Sequence, residues 1–324
     1  MLNKAINSSA KPNLVFIWIG DSLPAWFGDT LKIAQKYSGA NLILVCSKPA
    51  YERQPLDSSL TVYQLEEFYQ RDPRLYDLQY FGPLSFRDEF WLKALERYLV
   101  LLAFMKHYQV TSCFQAELDN AIFDISDIGS RLDSVGSGIF APRDVLDRAV
   151  PSLIYINNIL ALASLCDSIF VGSGKKNDMH LLGEFLRDSS YGFSLPTESA
   201  FNTQCPWKNI DANVVGGIFD ANAIGQYLLG IDPRNHPVKL IVRNGFINQN
   251  MQADLSECKF TLNESEGLFL EMGGIKHRLI NLHVHSKRMK YILEYEKFTP
   301  ILNSLNQKKR TYYLGGFLAS LIDR

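Results

Sequence analysis

An α/β protein built on a mostly parallel central sheet is what this sequence predicts, on three observations. The first 50 residues read strand, turn, helix, strand, the order of a β-α-β unit. The strand runs are continuously apolar, as strands covered by helices on both faces are. A chain of 324 residues, 47% apolar and 21% charged, can bury a large core without disulfide or metal staples.

Taken in order, residues 14–19 form the first strand, and Gly20, Asp21 and Ser22 break it. Pro24 suits the first turn of a helix running to Tyr37, with Gly39 as its C-terminal cap. Residues 41–46 are a second buried strand and 60–65 a weaker third. An aromatic, irregular stretch reaches Pro83, after which Ser85 and Asp88 resemble a capping box opening a long helix. Phe90, Trp91, Leu95, Tyr98, Leu99, Leu102 and Met105 give that helix its apolar stripe. Residues 110–115 are a strand that runs straight into Glu117, Leu118 and Asp119. Helices are predicted at 152–166, 177–187 and 221–229, and the part after Pro237 is strand-rich, ending in a strand at 278–284. Residues 202–213 are the most loop-like and offer a place for a domain boundary.

Composition excludes several classes. With 33 basic and 34 acidic residues the net charge is -1, which argues against a surface that coats nucleic acid. The five cysteines are scattered and form no CxxC pair, so neither a zinc ribbon nor a disulfide framework is readable, and a reducing, cytoplasmic compartment is expected. Residues 1–13 are polar, read as disordered, and lack the apolar core of a signal peptide. The longest apolar run, 153–165, carries two asparagines and is too short to span a membrane.

Chemistry concentrates in two short segments. Glu117 and Asp119 leave the end of an apolar strand, where side chains at i and i+2 share a side, roughly 6.7 Å apart. Two carboxylates so placed repel unless a cation neutralises them, and oxygen ligands suit Mg²⁺ or Mn²⁺ better than zinc. An acid-x-acid triplet is often only a solvated turn, but an idle charge pair behind a buried strand is costly. Near the tail, His283 and His285 alternate onto one face, with Lys287 beyond them. One imidazole added to the two carboxylates makes a three-ligand site with positions left for phosphate oxygens; a pair of surface histidines is the plainer alternative.

Residues 14–24, 90–98 and 114–123 resemble, in that order, the donor half of GT-A-fold glycosyltransferases, which use nucleotide sugars and a divalent metal held by a DxD motif. Glu117-Leu118-Asp119 matches that motif with Glu in the first place. Residues 217–235 look like a block of bacterial surface-polysaccharide transferases of this fold, and the segment His283 to Lys287 is similar to the His and Lys segment that completes the metal and diphosphate site in glycogenin-like members. The resemblance implies a GT-A-like, mostly parallel sheet flanked by helices, with a smaller mixed C-terminal acceptor-side region. It implies one catalytic domain over residues 14–300, with a donor half at about 14–150 and an acceptor half at about 151–300.

It also implies roles. Mn²⁺ or Mg²⁺ would be held by Glu117, Asp119 and either His285 or His283, and Lys287 would meet a phosphate oxygen. Trp18, Gly20 and Asp21 would hold the nucleoside, and Arg97 would lie near the donor sugar. Asp178, at a helix start, is one choice of catalytic carboxylate and Asp220 the other. The partners expected are a nucleoside-diphosphate sugar and a glycan or lipid-linked acceptor in bacterial surface-polysaccharide synthesis. The basic cluster Lys308 to Arg310 with the apolar stretch after it suits peripheral attachment at the inner face of a membrane, although docking of that stretch on the core explains it too. Two other readings compete: a metal-dependent hydrolase using the HxH pair, and a non-catalytic nucleotide-sugar-binding protein.

Overall fold

The computed structural model describes residues 11–54, 59–80, 89–171, 176–232 and 244–307. The expectations for residues 1–10, for the Ser85 and Asp88 capping box and for 308–324 lie outside the described residues.

Strands β1 (Asn13–Trp18), β2 (Asn41–Cys46), β3 (Thr61–Gln64) and β4 (Cys113–Ala116) lie in the order β3-β2-β1-β4, all parallel. A short strand β5 (Asn120–Ile122) leaves the end of β4 for a separate pairing. The sheet continues with β6 (Ile139–Val145), β7 (Arg148–Ala149), β8 (Leu153–Ile156) and β9 (Gly192–Leu195). Here β8 runs antiparallel between β4 and β6, so β6 points along β4 again; β9 is parallel to β6, and β7 folds back on β6. The result is the mostly parallel, helix-flanked sheet that the sequence predicts.

Both faces are covered, which is why the strand runs carry no polar alternation. Val15 and Ile17 pack toward the helices Phe90–Tyr108, Ile159–Ser168 and Asp178–Asp188. Leu14 and Phe16 pack toward Phe27–Tyr37 and Ile128–Val135. The first helix starts at Phe27 rather than Pro24, because the Pro24 carbonyl first closes a turn on the Phe27 N–H. Gly39 has φ +65°, the left-handed conformation expected just past a helix end.

The helix expected over 152–166 is corrected. Its first part is β8, a wholly buried run that pairs Ile154 with Gln115 and Leu153 with Ala116. Only from Ile159 does a helix begin, with the Asn158 side chain accepting the N–H groups of Leu160 and Ala161. A short apolar run has no period of its own, and the β-branched and aromatic side chains of Ile154, Tyr155 and Ile156 favour a strand.

The C-terminal region is the smaller mixed part. Strands β10 (Lys259–Asn263), β11 (Gly267–Met272) and β12 (Ile275–Arg278) form an antiparallel sheet that shares a core with the helices Ala223–Leu229 and Tyr295–Gln307. From there β13 (Asn281–His283) returns to pair antiparallel with β5, setting His283 opposite Asn120 and Asn281 opposite Ile122. Among the described residues no helix is long and apolar enough to cross a membrane.

Asn281 locks this return. Fully buried, it donates to Asn120 Oδ1 (2.9 Å) and to the Asp220 carbonyl (3.0 Å), and accepts the Asp220 N–H (3.0 Å). Asn281→Ala leaves buried polar groups without partners, and is expected to cost about 2–4 kcal/mol of stability in urea denaturation. A loss under about 0.5 kcal/mol, the size of an ordinary surface change, would contradict this role.

Candidate metal centre

The acidic triplet leaves the sheet where β1 and β4 end together. Phe16 lies opposite Ala116 in the parallel ladder, so Trp18 and Leu118 emerge from adjacent strands at the same end of the sheet. Carboxyl ends of parallel strands are where such sheets bind ligands. Residues 117–120 form a turn rather than an extension of the strand, closed by the Asn120 N–H on the Glu117 carbonyl (3.2 Å). Three elements fix that turn. Ser152 O accepts the Glu117 N–H (3.0 Å), Thr30 Oγ1 donates to the Leu118 carbonyl (2.8 Å), and Asp119 O accepts the Val284 N–H (2.8 Å).

Into this turn β13 delivers His283. One ligand atom each from Glu117, Asp119 and His283 lie within 4.8 Å of one another. His283 Nε2 is 3.2 Å from Glu117 Oε2 and 3.5 Å from Asp119 Oδ1. Its Nδ1 lies 2.7 Å from the Ala221 carbonyl, which can only accept, so Nδ1 carries a proton and Nε2 is aimed at the carboxylates. Two carboxylate oxygens and one oriented imidazole nitrogen form a donor set that fits a divalent cation such as Mn²⁺.

Of the two histidines that the sequence leaves open, His283 reaches the carboxylates. The backbone turns after it, and the His285 ring stacks on that of His283 at 4.1 Å with a 37° tilt. His285 Nε2 is buried without a partner, and burial together with the neighbouring His283 holds its pKa well below the usual imidazole range.

Cations already attend both carboxylates. Arg97 Nη2 donates to Glu117 Oε1 (2.8 Å) and to Asp178 Oδ2 (3.3 Å), so Arg97 holds the first carboxylate of the triplet. The Lys287 ammonium donates to Asp119 Oδ2 and lies 5.5 Å from the centre of the Trp26 ring. Lys287 has φ +60°, a left-handed backbone that non-glycine residues seldom adopt and that clusters at functional sites. Burial alone would raise the Asp119 pKa, but Lys287 and then His283 hold it well below the usual carboxylate range. Burial alone would lower that of His283, yet Asp119 and Glu117 outweigh it and raise it to about 9.

Asp178 and Asp220 take different positions. Asn177, not Asp178, caps the helix Asp178–Asp188 by accepting the His180 N–H (3.0 Å). Asp178 follows in the first turn, buried, with Oδ1 unpartnered, and burial raises its pKa to about 6 against the opposing pull of Arg97. Asp220 is spent on backbone: its oxygens accept the N–H groups of Ile224 (3.0 Å), Gly225 (2.8 Å) and His283 (2.9 Å). Its carboxylate therefore anchors the helix Ala223–Leu229 against β13. Gly225 permits that approach, since a Cβ there would fall 1.9 Å from the His283 carbonyl oxygen.

The turn after β1 is held from outside. Trp18 Nε1 donates to the Ser22 carbonyl (2.9 Å), Ser47 Oγ to the Gly20 carbonyl (2.8 Å), and Arg53 Nη1 to the Asp21 carbonyl (3.1 Å). The Asp21 side chain remains exposed. Trp18, Gly20 and Asp21 make no contact with the cluster of Glu117, Asp119 and His283 among the described interactions.

Glu198 was not singled out by the sequence. It is 1% exposed, with Oε2 unpartnered, and burial followed by the nearby Asp220 raises its pKa to about 7. Beside it Asp144, paired with Arg148, accepts from Asn222 Nδ2 (2.9 Å), and Asn248 bridges Asn222 and Gln226. Nothing in a Thr-Glu-Ser triplet marks a site; only its burial does. Among the described residues nine buried side-chain polar atoms lack a partner, and six of them belong to Tyr98, Gln115, Asn120, Asp178, His285 and Ser286, in or flanking the cluster. Native interiors leave few such atoms unsatisfied, so their concentration here is what a polar ligand would meet.

No family model matches the chain, and no curated protein matches it. Among solved structures it is similar to the apo form of mouse xyloside xylosyltransferase 1, at 9% identity, covering 58% of this chain and 86% of that one, with a TM-score of 0.42.

A cation at His283 must displace a proton from Nε2 wherever the ring is protonated. Mn²⁺ affinity, measured by calorimetry, is therefore expected to rise about tenfold per pH unit from near 7 toward 9 and then level off. Without metal the sign reverses. The raised His283 pKa contributes stability that is fully present below its unfolded value near 6.5 and is lost as pH passes through about 9. An affinity flat across that range would show that His283 is not a ligand.

Proposed function

We propose that the chain is a metal-dependent glycosyltransferase that takes a sugar from a nucleoside-diphosphate donor and passes it to a glycan or lipid-linked acceptor, in the manner of bacterial surface-polysaccharide synthesis in the cytoplasm. The observation that carries this reading is the convergence of Glu117, Asp119 and an oriented His283 at the carboxyl end of β4, beside the turn that ends β1. Bound there, Mn²⁺ or Mg²⁺ would supply Lewis-acid stabilisation of the departing diphosphate, worth several kcal/mol. Of these two ions the imidazole favours Mn²⁺, since Mg²⁺ takes an oxygen and water shell.

The chain's own groups do the rest. Arg97 fixes the Glu117 carboxylate, and the Ala221 carbonyl fixes the His283 ring. Lys287 stands ready as a point charge for a phosphate oxygen. The turn at Trp18, Gly20 and Asp21 would receive the nucleoside. Asp178, with a pKa raised to about 6, can take and return a proton near neutral pH, which suits a general base for an acceptor hydroxyl. The polar wall of Glu198, Asp144, Asn222 and Asn248 offers planar acceptors and donors for sugar hydroxyls.

Metal-assisted hydrolysis through the HxH pair fits less well, because only one of the two imidazoles faces the carboxylates. A screen of common nucleotide sugars with Mn²⁺ separates the readings. Release of nucleoside diphosphate is expected from at least one donor and should fall about 10²-fold or more in Asp119→Asn. Turnover of a chromogenic ester without nucleotide would favour the hydrolase. Donor binding without any release would leave a nucleotide-sugar-binding protein.

A further inference from the structure

We propose that Lys287 is a tethered counter-ion of this metal centre: its ammonium holds Asp119 until a divalent cation and a diphosphate enter together, and then passes to the anion. The inference rests on the metal-dependent transfer reading above and adds to it an order of assembly.

Charge balance couples the cation to the anion. The Lys287 ammonium contacts Asp119 Oδ2, so one of the three ligand groups is already engaged by a cation. The other carboxylate ligand, Glu117, holds Arg97, which also bonds Asp178. Three carboxylates thus face Arg97, Lys287 and the His283 ring. With a divalent ion bound and His283 neutral, as a ligand must be, the three carboxylates, the two cationic side chains and the ion sum to one unit of positive charge in a buried site, where uncompensated charge is costly. A diphosphate arriving with the ion takes the balance back below neutral.

Arg97 is clamped between two carboxylates, whereas among the described residues Lys287 has a single carboxylate partner, and its stem is a flexible four-carbon chain. Its ammonium also faces the Trp26 ring, whose π-face attracts a cation displaced from Asp119. Trp26 lies five residues beyond Asp21, in the segment that follows the proposed nucleoside turn. Asp119 can therefore be released to a metal without stranding the ammonium. The cation and the anion are then coupled ligands, each raising the affinity of the other.

The test is calorimetric titration of the whole chain with Mn²⁺ alone and with Mn²⁺ in the presence of inorganic pyrophosphate, a probe that needs no knowledge of the base. Wild type is expected to bind Mn²⁺ at least about tenfold more tightly when pyrophosphate is present. Lys287→Met and Lys287→Gln should bind Mn²⁺ alone at least about tenfold more tightly than wild type, and lose most of the gain from pyrophosphate. Lys287→Arg, which keeps the charge, should retain the wild-type pattern. Mn²⁺ affinity in both neutral variants equal to or weaker than wild type would overturn the proposal, with circular dichroism confirming that they fold. Should Asp119→Asn bind Mn²⁺ as wild type does, with and without pyrophosphate, the metal centre itself fails instead.

Discussion

A three-residue strand pairing holds the site together. β5 and β13 bring Asn120 and Asn281, 161 residues apart in sequence, into hydrogen-bond contact, and His283 reaches Asp119 only because of it. Closing a loop of that length costs about 4–5 kcal/mol of chain entropy. Three residues of ladder would not offset this alone. Fully buried Leu282 and Ile122, at about 1.5–3 kcal/mol each, and the hydrogen bonds of Asn281 do. Segment 218–220 adds a third layer, with the Ile218 carbonyl accepting from Ile280 and Asp220 joined to Asn281 and His283. The histidine is thus placed by backbone, not by the flexibility of its own side chain.

The electrostatics follow from that placement. Carboxylates this close and this buried must be neutralised, and three of them have cations: Arg97 for Glu117 and Asp178, Lys287 and His283 for Asp119. Lys287 and then His283 depress the pKa of Asp119, and Asp119 with Glu117 raises that of His283. Where burial acts with little opposing charge, as at Glu198, the carboxyl moves up instead, to about 7.

Much of this was legible in the sequence, and the limits have physical reasons. The apolar runs of β1 and β2 were readable because burial on both faces leaves no ambiguity of period, and Asn41–Cys46 falls where expected. β8 was not, because four apolar residues before a helical stretch look like its first turn. The acidic triplet and the His pair announced themselves by residue type. Their meeting did not, since register between β5 and β13 is a tertiary fact that no local pattern records. The choice of His283 over His285 depended on the Ala221 carbonyl, and the role of Asp220 on three backbone N–H groups, all invisible to spacing. Glu198 lacked any local signature.

The central claim is that a single cation joins mid-chain carboxylates to a histidine near the tail. Anomalous diffraction at the manganese edge, from crystals soaked with Mn²⁺ and pyrophosphate, addresses it most directly. The account predicts one strong peak within about 2.0–2.3 Å of Glu117, Asp119 and His283 Nε2 together. A peak bound elsewhere, or one that touches the carboxylates and leaves His283 out, would contradict it.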